Sequence, residues 1–144
     1  GDLYLWGDVS WLSGCDKQSL WVPRCVARLK GCVWQASLGP NHAAVVTFGG
    51  ELFTWGLGFT GQLGHGDTAD RSAPTQVEIK DLVRGRAFTV SCGVWHTAVL
   101  TEYGQVLTWG NGDQYQVGHG DKEMCMSPKV LEGFQVSESA GVEP

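Results

Sequence analysis

The four histidines of the chain form two pairs with one spacing. His42 and His96 are 54 residues apart, and so are His65 and His119. Imidazoles ligate metals and exchange protons near neutral pH, so each pair is a candidate site. Residues that recur at a fixed period sit in successive structural repeats, however, and no CxxC or HxxxH spacing accompanies them. We therefore predict no metal site, and we expect each imidazole to be hydrogen-bonded to backbone in a tight loop.

Two other residue types near these histidines could take part in catalysis. Asp67 and Asp121 each follow a His-Gly pair, and Cys92 stands four residues before His96. An aspartate beside a glycine turn commonly accepts a bond from its own backbone two residues further on. The counterpart of Cys92 one period earlier is Leu38, so an apolar residue serves at that position and Cys92 is predicted to be a buried small side chain. The sequence thus predicts no catalytic residue and no enzyme.

A glycine-rich stretch also raises the possibility of nucleotide binding. Residues 56–61 read Gly-x-Gly-x-x-Gly and follow a predicted strand, but no helical pattern follows them. A dinucleotide site needs that helix and an acidic residue about 20 positions on in a βαβ unit. The counterpart at 110–115 ends in tyrosine. We predict no bound cofactor.

The elements that must position these residues repeat as well. Residues 39–56 reappear as 93–110, and each copy ends in a Trp-Gly pair, as does the run 1–7. The runs 42–47 and 50–56 alternate like half-buried strands around a glycine turn, and so do 96–101 and 104–110. After the glycine loop, a proline (Pro23, Pro74 and Pro128) is predicted to open a further extended run, and residues 86–91 are predicted to be the fourth strand of the blade. No stretch has the pattern of an amphipathic helix. Four short strands in about 50 residues are typical of a β-propeller blade, so the predicted fold class is all-β, a partial β-propeller of four-stranded antiparallel blades in an incomplete ring.

An ordered set of motifs occurs twice in register. Leu/Cys-Gly-x-x-His (38–42 and 92–96) precedes Gly-x-x-x-Thr-Trp-Gly (50–56 and 104–110), then Gln-Leu/Val-Gly-His-Gly-Asp (62–67 and 116–121), then a proline. This order resembles the regulator of chromosome condensation repeat family. The residues assigned to this repeat signature, and to no chemistry, are Trp6, Trp55, Trp109, His42, His96, His65, His119, Gly64, Gly66, Asp67, Gly118, Gly120, Asp121, Pro74 and Pro128. The three tryptophans among them are predicted to lie in the core.

The resemblance sets the expected domain organisation. It implies a seven-bladed ring, of which about two and a half repeats are present over residues 1–131, in registers starting near 1, 39 and 93. Residues 132–144 are predicted to be an irregular tail. The first repeat lacks Gly-His-Gly-Asp, so its loop at 8–20 is expected to be rebuilt. The missing blades would come from the same parent chain, because an open stack leaves strand edges and blade faces uncovered.

Composition narrows the classes of partner. The formal net charge is −5, which disfavours direct contact with nucleic acid. There is no apolar run long enough to span a membrane. Five cysteines without a CxxC pair favour a reducing compartment, and hence a cytoplasmic or nuclear rather than a secreted protein. The first residues, GDLYLWG, carry no signal segment, and we expect them to lie within a longer protein.

The tryptophans outside the Trp-Gly pairs are the candidate partner-binding residues. Trp11, Trp21, Trp34 and Trp95 fall off the repeat register, and tryptophan is enriched where proteins bind one another. The leading hypothesis is a non-catalytic protein–protein interaction module in a larger protein. The resemblance implies an alternative, guanine nucleotide exchange on a small GTPase, and a third, weaker hypothesis is chromatin association, which the acidic charge opposes.

Overall fold

The computed structural model of the chain describes residues 1–11, 20–80 and 86–135. Ten strands lie within these ranges, and no helix does. They are β1 (Asp2–Gly7), β2 (Leu20–Arg28), β3 (Val33–Leu38), β4 (His42–Thr47), β5 (Leu52–Gly56), β6 (Arg71–Gln76), β7 (Ala87–Cys92), β8 (His96–Thr101), β9 (Gln105–Gly110) and β10 (Cys125–Gln135). The described part of the chain has no helix that could cross a lipid bilayer.

The strands form three antiparallel sheets that follow the chain in order. Strands β3 to β6 make one four-stranded sheet, β7 to β10 make a second, and β1 pairs with β2 alone. We call these sheets blade 2, blade 3 and the half blade. The register shows that the half blade corresponds to the third and fourth strands of a blade, because Gly7, Gly56 and Gly110 each end the strand that carries the Trp-Gly pair. The predicted all-β class and the four-stranded antiparallel blades are confirmed.

The predicted hairpins are present. Gly50 and Gly104 adopt φ of 83° and 78° and donate to the carbonyls of Thr47 and Thr101 at 2.9 and 3.0 Å. A positive φ is readily accessible to glycine, which is why the turn residue recurs. The strand predicted at 86–91 is present as β7, but it is the first strand of blade 3 rather than the fourth of the blade before it, because it pairs with β8. β3, one period earlier, is the first strand of blade 2 and was not predicted as a separate strand.

Two predicted boundaries change. β10 runs to Gln135, so the repeat continues beyond residue 131, and the predicted irregular tail does not begin at 132. Residues 136–144 lie outside the described residues. Pro74 and Pro128 lie inside β6 and β10 rather than at their first residues. Both strands are the outermost of their sheets, where a proline interrupts no ladder on the free side.

The apolar core lies between blades rather than within one sheet. One cluster joins Ala44, Val46 and Leu52 of blade 2 to Val99 and Trp109 of blade 3, among others. A second joins the alternate residues of β4 to the half blade. Every residue of β4 is therefore buried, because each face of blade 2 is covered by a neighbour.

Side chains of β3 bind the backbone of β7. The Gln35 side chain accepts bonds from Thr89 Oγ1 at 2.6 Å and Val90 N at 2.7 Å, and it donates to Val90 O at 3.1 Å. Ser37 Oγ accepts a bond from Cys92 N at 3.0 Å. The first strands of successive blades are thereby held in direct contact.

Candidate partner-binding surfaces and the blade junction

The strand register divides the loops between two rims. The hairpins at 48–51 and 102–104 lie at the end of the sheets where β3 and β7 begin, and we call this end the hairpin rim. The loops that hold Gly-His-Gly-Asp lie at the opposite end, with the turns before His42 and His96. We call that end the glycine-loop rim. Residues at opposite ends of a strand therefore lie on opposite rims and cannot contribute to one binding surface.

Three aromatic side chains form an exposed cluster on the hairpin rim. The ring of Trp34 packs edge-on against Phe48, with 5.1 Å between centroids, and lies 5.9 Å from Phe88. All three remain about half exposed or more. Trp34 and Phe88 are one period of 54 residues apart, so they hold the same position in β3 and β7. The prediction that Trp34 falls off the repeat register is therefore wrong, because an aromatic residue stands there in both blades.

A shallow cavity of about 220 Å³ lies over this aromatic cluster. Its lining includes the three rings, Gly50, Arg86 and Glu102. Arg86 and Glu102 are cross-strand neighbours, and the Glu102 amide donates to the Arg86 carbonyl at 3.1 Å. The cavity therefore offers an apolar floor with one group of each charge at its edge. No sequence motif marks it, because its residues come from four separate segments.

The glycine-loop rim carries a smaller aromatic contact. Phe59 of blade 2 meets Trp95 of blade 3 edge-on at 4.7 Å, and Thr60 Oγ1 donates to the Trp95 carbonyl at 3.2 Å. Trp95 is half-buried by these contacts. Trp95 thus links blade 3 to blade 2 on this rim. Asn41, which holds the same repeat position in blade 2, donates to the Val94 carbonyl of blade 3 at 3.3 Å.

The structure does not bring the four candidate tryptophans together. Trp34 lies on the hairpin rim, whereas Trp95 lies on the opposite rim. Trp11 is half-buried against the core cluster beside Trp55, next to Gly56. Trp21 lies on β2 and is 92% exposed. The remainder of the predicted loop, residues 12–19, is outside the described part of the chain.

The signature histidines bind threonine hydroxyls. His65 Nε2 lies 2.9 Å from Thr54 Oγ1, and His119 Nε2 lies 3.0 Å from Thr108 Oγ1. Burial and the Arg71 charge lower the pKa of His65. A strand hydroxyl thus holds each ring over its own loop, and His119 Nε2 also lies 3.3 Å from the backbone carbonyl of Thr108. The four signature glycines, which flank these rings, adopt positive φ at Gly64, Gly66, Gly118 and Gly120.

The signature aspartates bind their own loops as expected. Asp67 Oδ1 accepts the Ala69 amide at 3.0 Å, and Asp121 Oδ1 accepts the Glu123 amide at 3.1 Å. Asp67 also pairs with Arg71 at 2.9 Å, and this hydrogen bond holds the pKa of its carboxyl below the usual value. Within the described ranges, no group of three or more His, Cys, Asp or Glu side chains is arranged to hold a metal ion.

A buried hydrogen-bond chain crosses the junction between blades 2 and 3. His42 Nε2 lies 2.7 Å from Thr97 Oγ1, which donates to the Gln62 carbonyl at 2.7 Å. The same carbonyl accepts the Trp109 indole N–H at 2.9 Å. Burial, and secondarily the His96 charge, lowers the pKa of His42 to about 4. His42 is therefore neutral at physiological pH, and its ring forms part of the junction.

The three tryptophans of the Trp-Gly pairs differ in burial, and the contacts at the junction between blades explain the difference. Trp55 and Trp109 are 2% and 0% exposed, but Trp6 is 62% exposed. Trp109 packs against Gly64 and Gln62 of the blade before it. Trp6 lies on the outer face of the half blade, where the described residues place no sheet against it, so it is not part of the core that these three sheets form. Burial at this position is supplied by the neighbouring blade.

Cys92 is also a junction residue. Its thiol donates to the Ser37 carbonyl at 3.5 Å across the junction. Burial raises the pKa of the Cys92 thiol to about 12. A thiol that stays protonated at neutral pH is a poor nucleophile, which supports the interpretation of Cys92 as a packing residue.

Two protein-family profiles match the sequence of this chain. The profile of the regulator of chromosome condensation (RCC1) repeat matches residues 49–100 and 103–142. A second RCC1 repeat profile matches residues 89–116. The chain belongs to the RCC1 repeat family. The resemblance carried by the duplicated motifs is confirmed.

Other RCC1 repeat proteins share about a third of the residues. The chain is 35% identical over 145 residues to the E3 ubiquitin-protein ligase HERC2 of Homo sapiens, and the match covers 94% of this chain and 3% of that protein. It is 32% identical over 139 residues to the ultraviolet-B receptor UVR8 of Arabidopsis thaliana, covering 96% of this chain and 31% of UVR8. The chain thus spans a third or less of the length of these two relatives.

Solved structures show the same RCC1 blade arrangement. Human WBSCR16 superposes with a TM-score of 0.78 at 28% identity over 91% of this chain and 35% of that one. Prp20p of Saccharomyces cerevisiae, whose structure was reported with its binding properties to Gsp1p and histones, superposes with a TM-score of 0.77 at 19% identity over 92% of this chain and 34% of that one. At that identity the Prp20p likeness establishes fold.

Proposed function

We propose that the chain is a non-catalytic protein–protein interaction module, a propeller segment of a larger protein that binds its partner through the hairpin rim. The observation that carries this proposal is the exposed cluster of Trp34, Phe48 and Phe88 over a cavity of about 220 Å³. Large aromatic side chains contribute much of the binding energy at protein interfaces, particularly where they line a pocket.

Two rings of the cluster stand on strands that are bound to each other. Trp34 and Phe88 lie next to Gln35 and Thr89, the residues whose hydrogen bonds hold β3 against β7. Groups held by strands lose less conformational entropy on binding than groups on mobile loops. Trp34 and Phe88 therefore suit a partner better than Trp21, whose side chain is 92% exposed on β2.

The state of the titratable side chains supports a role without catalysis. His42 is buried and neutral, His65 and His119 are bound to threonine hydroxyls, and Cys92 is a protonated thiol. Each contributes to a loop or a junction. Cys25, Cys32, Cys92 and Cys125 are free thiols, which supports an intracellular, reducing compartment.

A small GTPase is the second candidate partner. The RCC1 resemblance implies guanine nucleotide exchange as the alternative activity, and Prp20p, which shares this fold, has binding properties to Gsp1p and histones. Exchange requires a surface that distorts a nucleotide site rather than catalytic side chains. Chromatin association through contact with DNA is less favoured, because the net charge of −5 repels phosphate-rich surfaces and the sequence has no basic footprint.

Variants of the hairpin rim test the proposal. Trp34→Ala and Phe88→Ala should each weaken capture of the same partner at least about tenfold, because each removes one wall of the cavity. Tyr103→Ala is the matched control, since Tyr103 is exposed on the same rim but does not line the cavity. Captured proteins are identified by mass spectrometry and their Kd values are then measured by calorimetry.

The outcome separates the hypotheses. Equal binding by Trp34→Ala, Phe88→Ala and wild type would remove the cluster from the interface. Faster nucleotide release from a panel of small GTPases, lost in the same variants, would favour the exchange activity. Circular dichroism of each variant shows whether the fold is kept.

A further inference from the structure

Four side chains that line the cavity on the hairpin rim come from two repeat positions. Trp34 and Phe88 hold one position, in β3 and β7, and Phe48 and Glu102 hold the other, directly after β4 and β8. Blade 2 therefore contributes two aromatic rings, whereas blade 3 contributes one ring and one carboxylate. The cavity depends only on the junction between these two blades.

The three rings are inclined to one another. The planes of Trp34 and Phe48 form an angle of 67°, and those of Trp34 and Phe88 form an angle of 36°. Rings at such angles do not cover each other's faces as parallel stacked rings would. The face of an aromatic ring carries negative π density, so three inclined rings that line one cavity attract a cation.

Two charged side chains stand at the edge of the cavity. Among the described residues that line it, Glu102 carries the one carboxylate and Arg86 the one guanidinium, and these two side chains do not form an ion pair with each other. The stem of Arg86 lies along the hairpin of blade 2, with Cγ and Cδ 2.9 Å from the position that a Cβ on Gly50 would take. Arg86 also lines a neighbouring cavity together with Glu51. It therefore stands between two cavities, whereas Glu102 belongs to the aromatic one.

The lining side chains offer few acceptors to an ordinary ammonium group. An unmodified lysine carries three N–H donors, and each needs an acceptor when the group leaves water. The acceptors on the described lining side chains are Glu102 and Thr47, and Thr47 Oγ1 already binds the Glu51 carboxylate and accepts the Glu51 amide at 3.2 Å. A trimethylated lysine keeps the positive charge but has no N–H donor, so aromatic rings can replace its water at a smaller cost.

We propose that this cavity binds the trimethylammonium group of a methylated lysine in the partner protein, with Trp34, Phe48 and Phe88 as an aromatic cage and Glu102 as the opposite charge. Cages of aromatic side chains are a general means of binding methylated lysine. The net charge of −5 supports a cationic ligand, since an acidic chain attracts a lysine-bearing segment. The inference rests on the proposed function and deepens it, because it names the chemical group that the hairpin rim recognises.

A series of three short peptides tests the ligand on the full chain. The peptides have the sequence Gly-Gly-X-Gly-Gly with blocked ends, and X is trimethyllysine, lysine, or the neutral isostere in which a tert-butyl group replaces trimethylammonium. NMR titration follows the indole N–H of Trp34, and the buried indole N–H of Trp109 reports whether the fold is kept. The trimethyllysine peptide should bind roughly fivefold or more tightly than either of the others, because it alone combines a charge with the absence of N–H donors.

Two conservative variants separate charge from shape. Glu102→Gln should weaken binding of the trimethyllysine peptide roughly threefold or more, because it removes the attracting charge, and Arg86→Gln should tighten binding by a similar factor. Neither variant should change the affinity for the neutral isostere. Glu123→Gln is the matched control, since Glu123 is an exposed carboxylate just before β10 on the opposite rim.

The results distinguish this inference from the proposed function. The cage is overturned if the isostere or unmodified lysine binds as tightly as trimethyllysine, if Glu102→Gln has no effect, or if no peptide shifts the Trp34 signal. In each of these cases, loss of partner capture by Trp34→Ala and Phe88→Ala would still support the interaction module. If the peptides bind in the expected order but partner capture survives both alanine variants, the proposed function fails while the trimethyllysine site stands.

Discussion

Blades 2 and 3 share a strand order and a sequence pattern, yet they differ in burial. In β4 every residue is buried, whereas in β8 buried and half-buried residues alternate. The two strands have the same neighbours within their sheets. What differs is that blade 2 lies between two sheets and blade 3 has one covered face. A blade of this fold therefore obtains half of its core from the next blade, as expected of a repeat protein.

The largest predicted difference between the blades is at the tryptophans of the Trp-Gly pairs. Trp109→Ala should lower the free energy of unfolding by about 3 to 5 kcal/mol, because it empties a fully buried site and leaves the Gln62 carbonyl with one donor fewer. Trp6→Ala removes the equivalent residue of the half blade and should cost less than about 1 kcal/mol. Urea titrations followed by circular dichroism measure both. Equal losses would mean that the sheet alone, and not the neighbouring blade, sets the burial.

The difference in burial between His42 and His96 predicts a difference in how the free energy of unfolding depends on pH. The pKa of His42 is about 4 in the folded chain, against 6.5 for an unperturbed histidine. Because the unfolded chain takes up this proton first, stability should fall as pH drops from 6.5 towards 4, by up to about 3 kcal/mol.

His42→Gln should remove most of that slope. The pKa of His96 is lowered by burial too, but its ring is only half-buried, so His96→Gln should flatten the curve less. Unfolding free energies measured between pH 7 and pH 4 check this. A steeper dependence in His42→Gln than in His96→Gln would contradict the difference between the two blades.

A smaller effect is expected at the apolar residues one period apart. Val46 is buried between blades 2 and 3, and Leu100 holds the same position in blade 3, half-buried on the face that points away from blade 2. Val46→Ala should cost about 2 kcal/mol, and Leu100→Ala less than about 1 kcal/mol although it removes more atoms. Thermal unfolding of both variants gives the comparison. A larger loss at Leu100 would show that this face of blade 3 is covered in solution.

The sequence predicted the elements that repeat. The duplicated segment located the hairpins at Gly50 and Gly104, and with them the burial of Trp55 and Trp109, because identical local patterns form identical strands. It placed β3 less well, since Trp34 and Phe88 share aromatic character but not identity. The exposure of Trp6 was out of reach, because it depends on what lies beside the half blade rather than on its own segment.

The candidate binding surfaces also depend on contacts between segments that are distant in the sequence. Grouping Trp34 with Trp95 followed from their residue type, but antiparallel strands send the start of β3 and the turn before β8 to opposite rims. The cavity over Trp34 draws on four segments, so no contiguous motif records it. The hydrogen bonds of Gln35 and Ser37 to β7 likewise link residues about 55 positions apart without any local signal.

Those two side chains bind mostly main-chain groups. Gln35 holds the amide and carbonyl of Val90, and Ser37 holds the amide of Cys92. Every residue type other than proline offers an amide, and every type offers a carbonyl. Substitutions along β7 can therefore accumulate during evolution while the attachment persists, so that duplicated blades are free to diverge in sequence and acquire different surfaces on one shared frame.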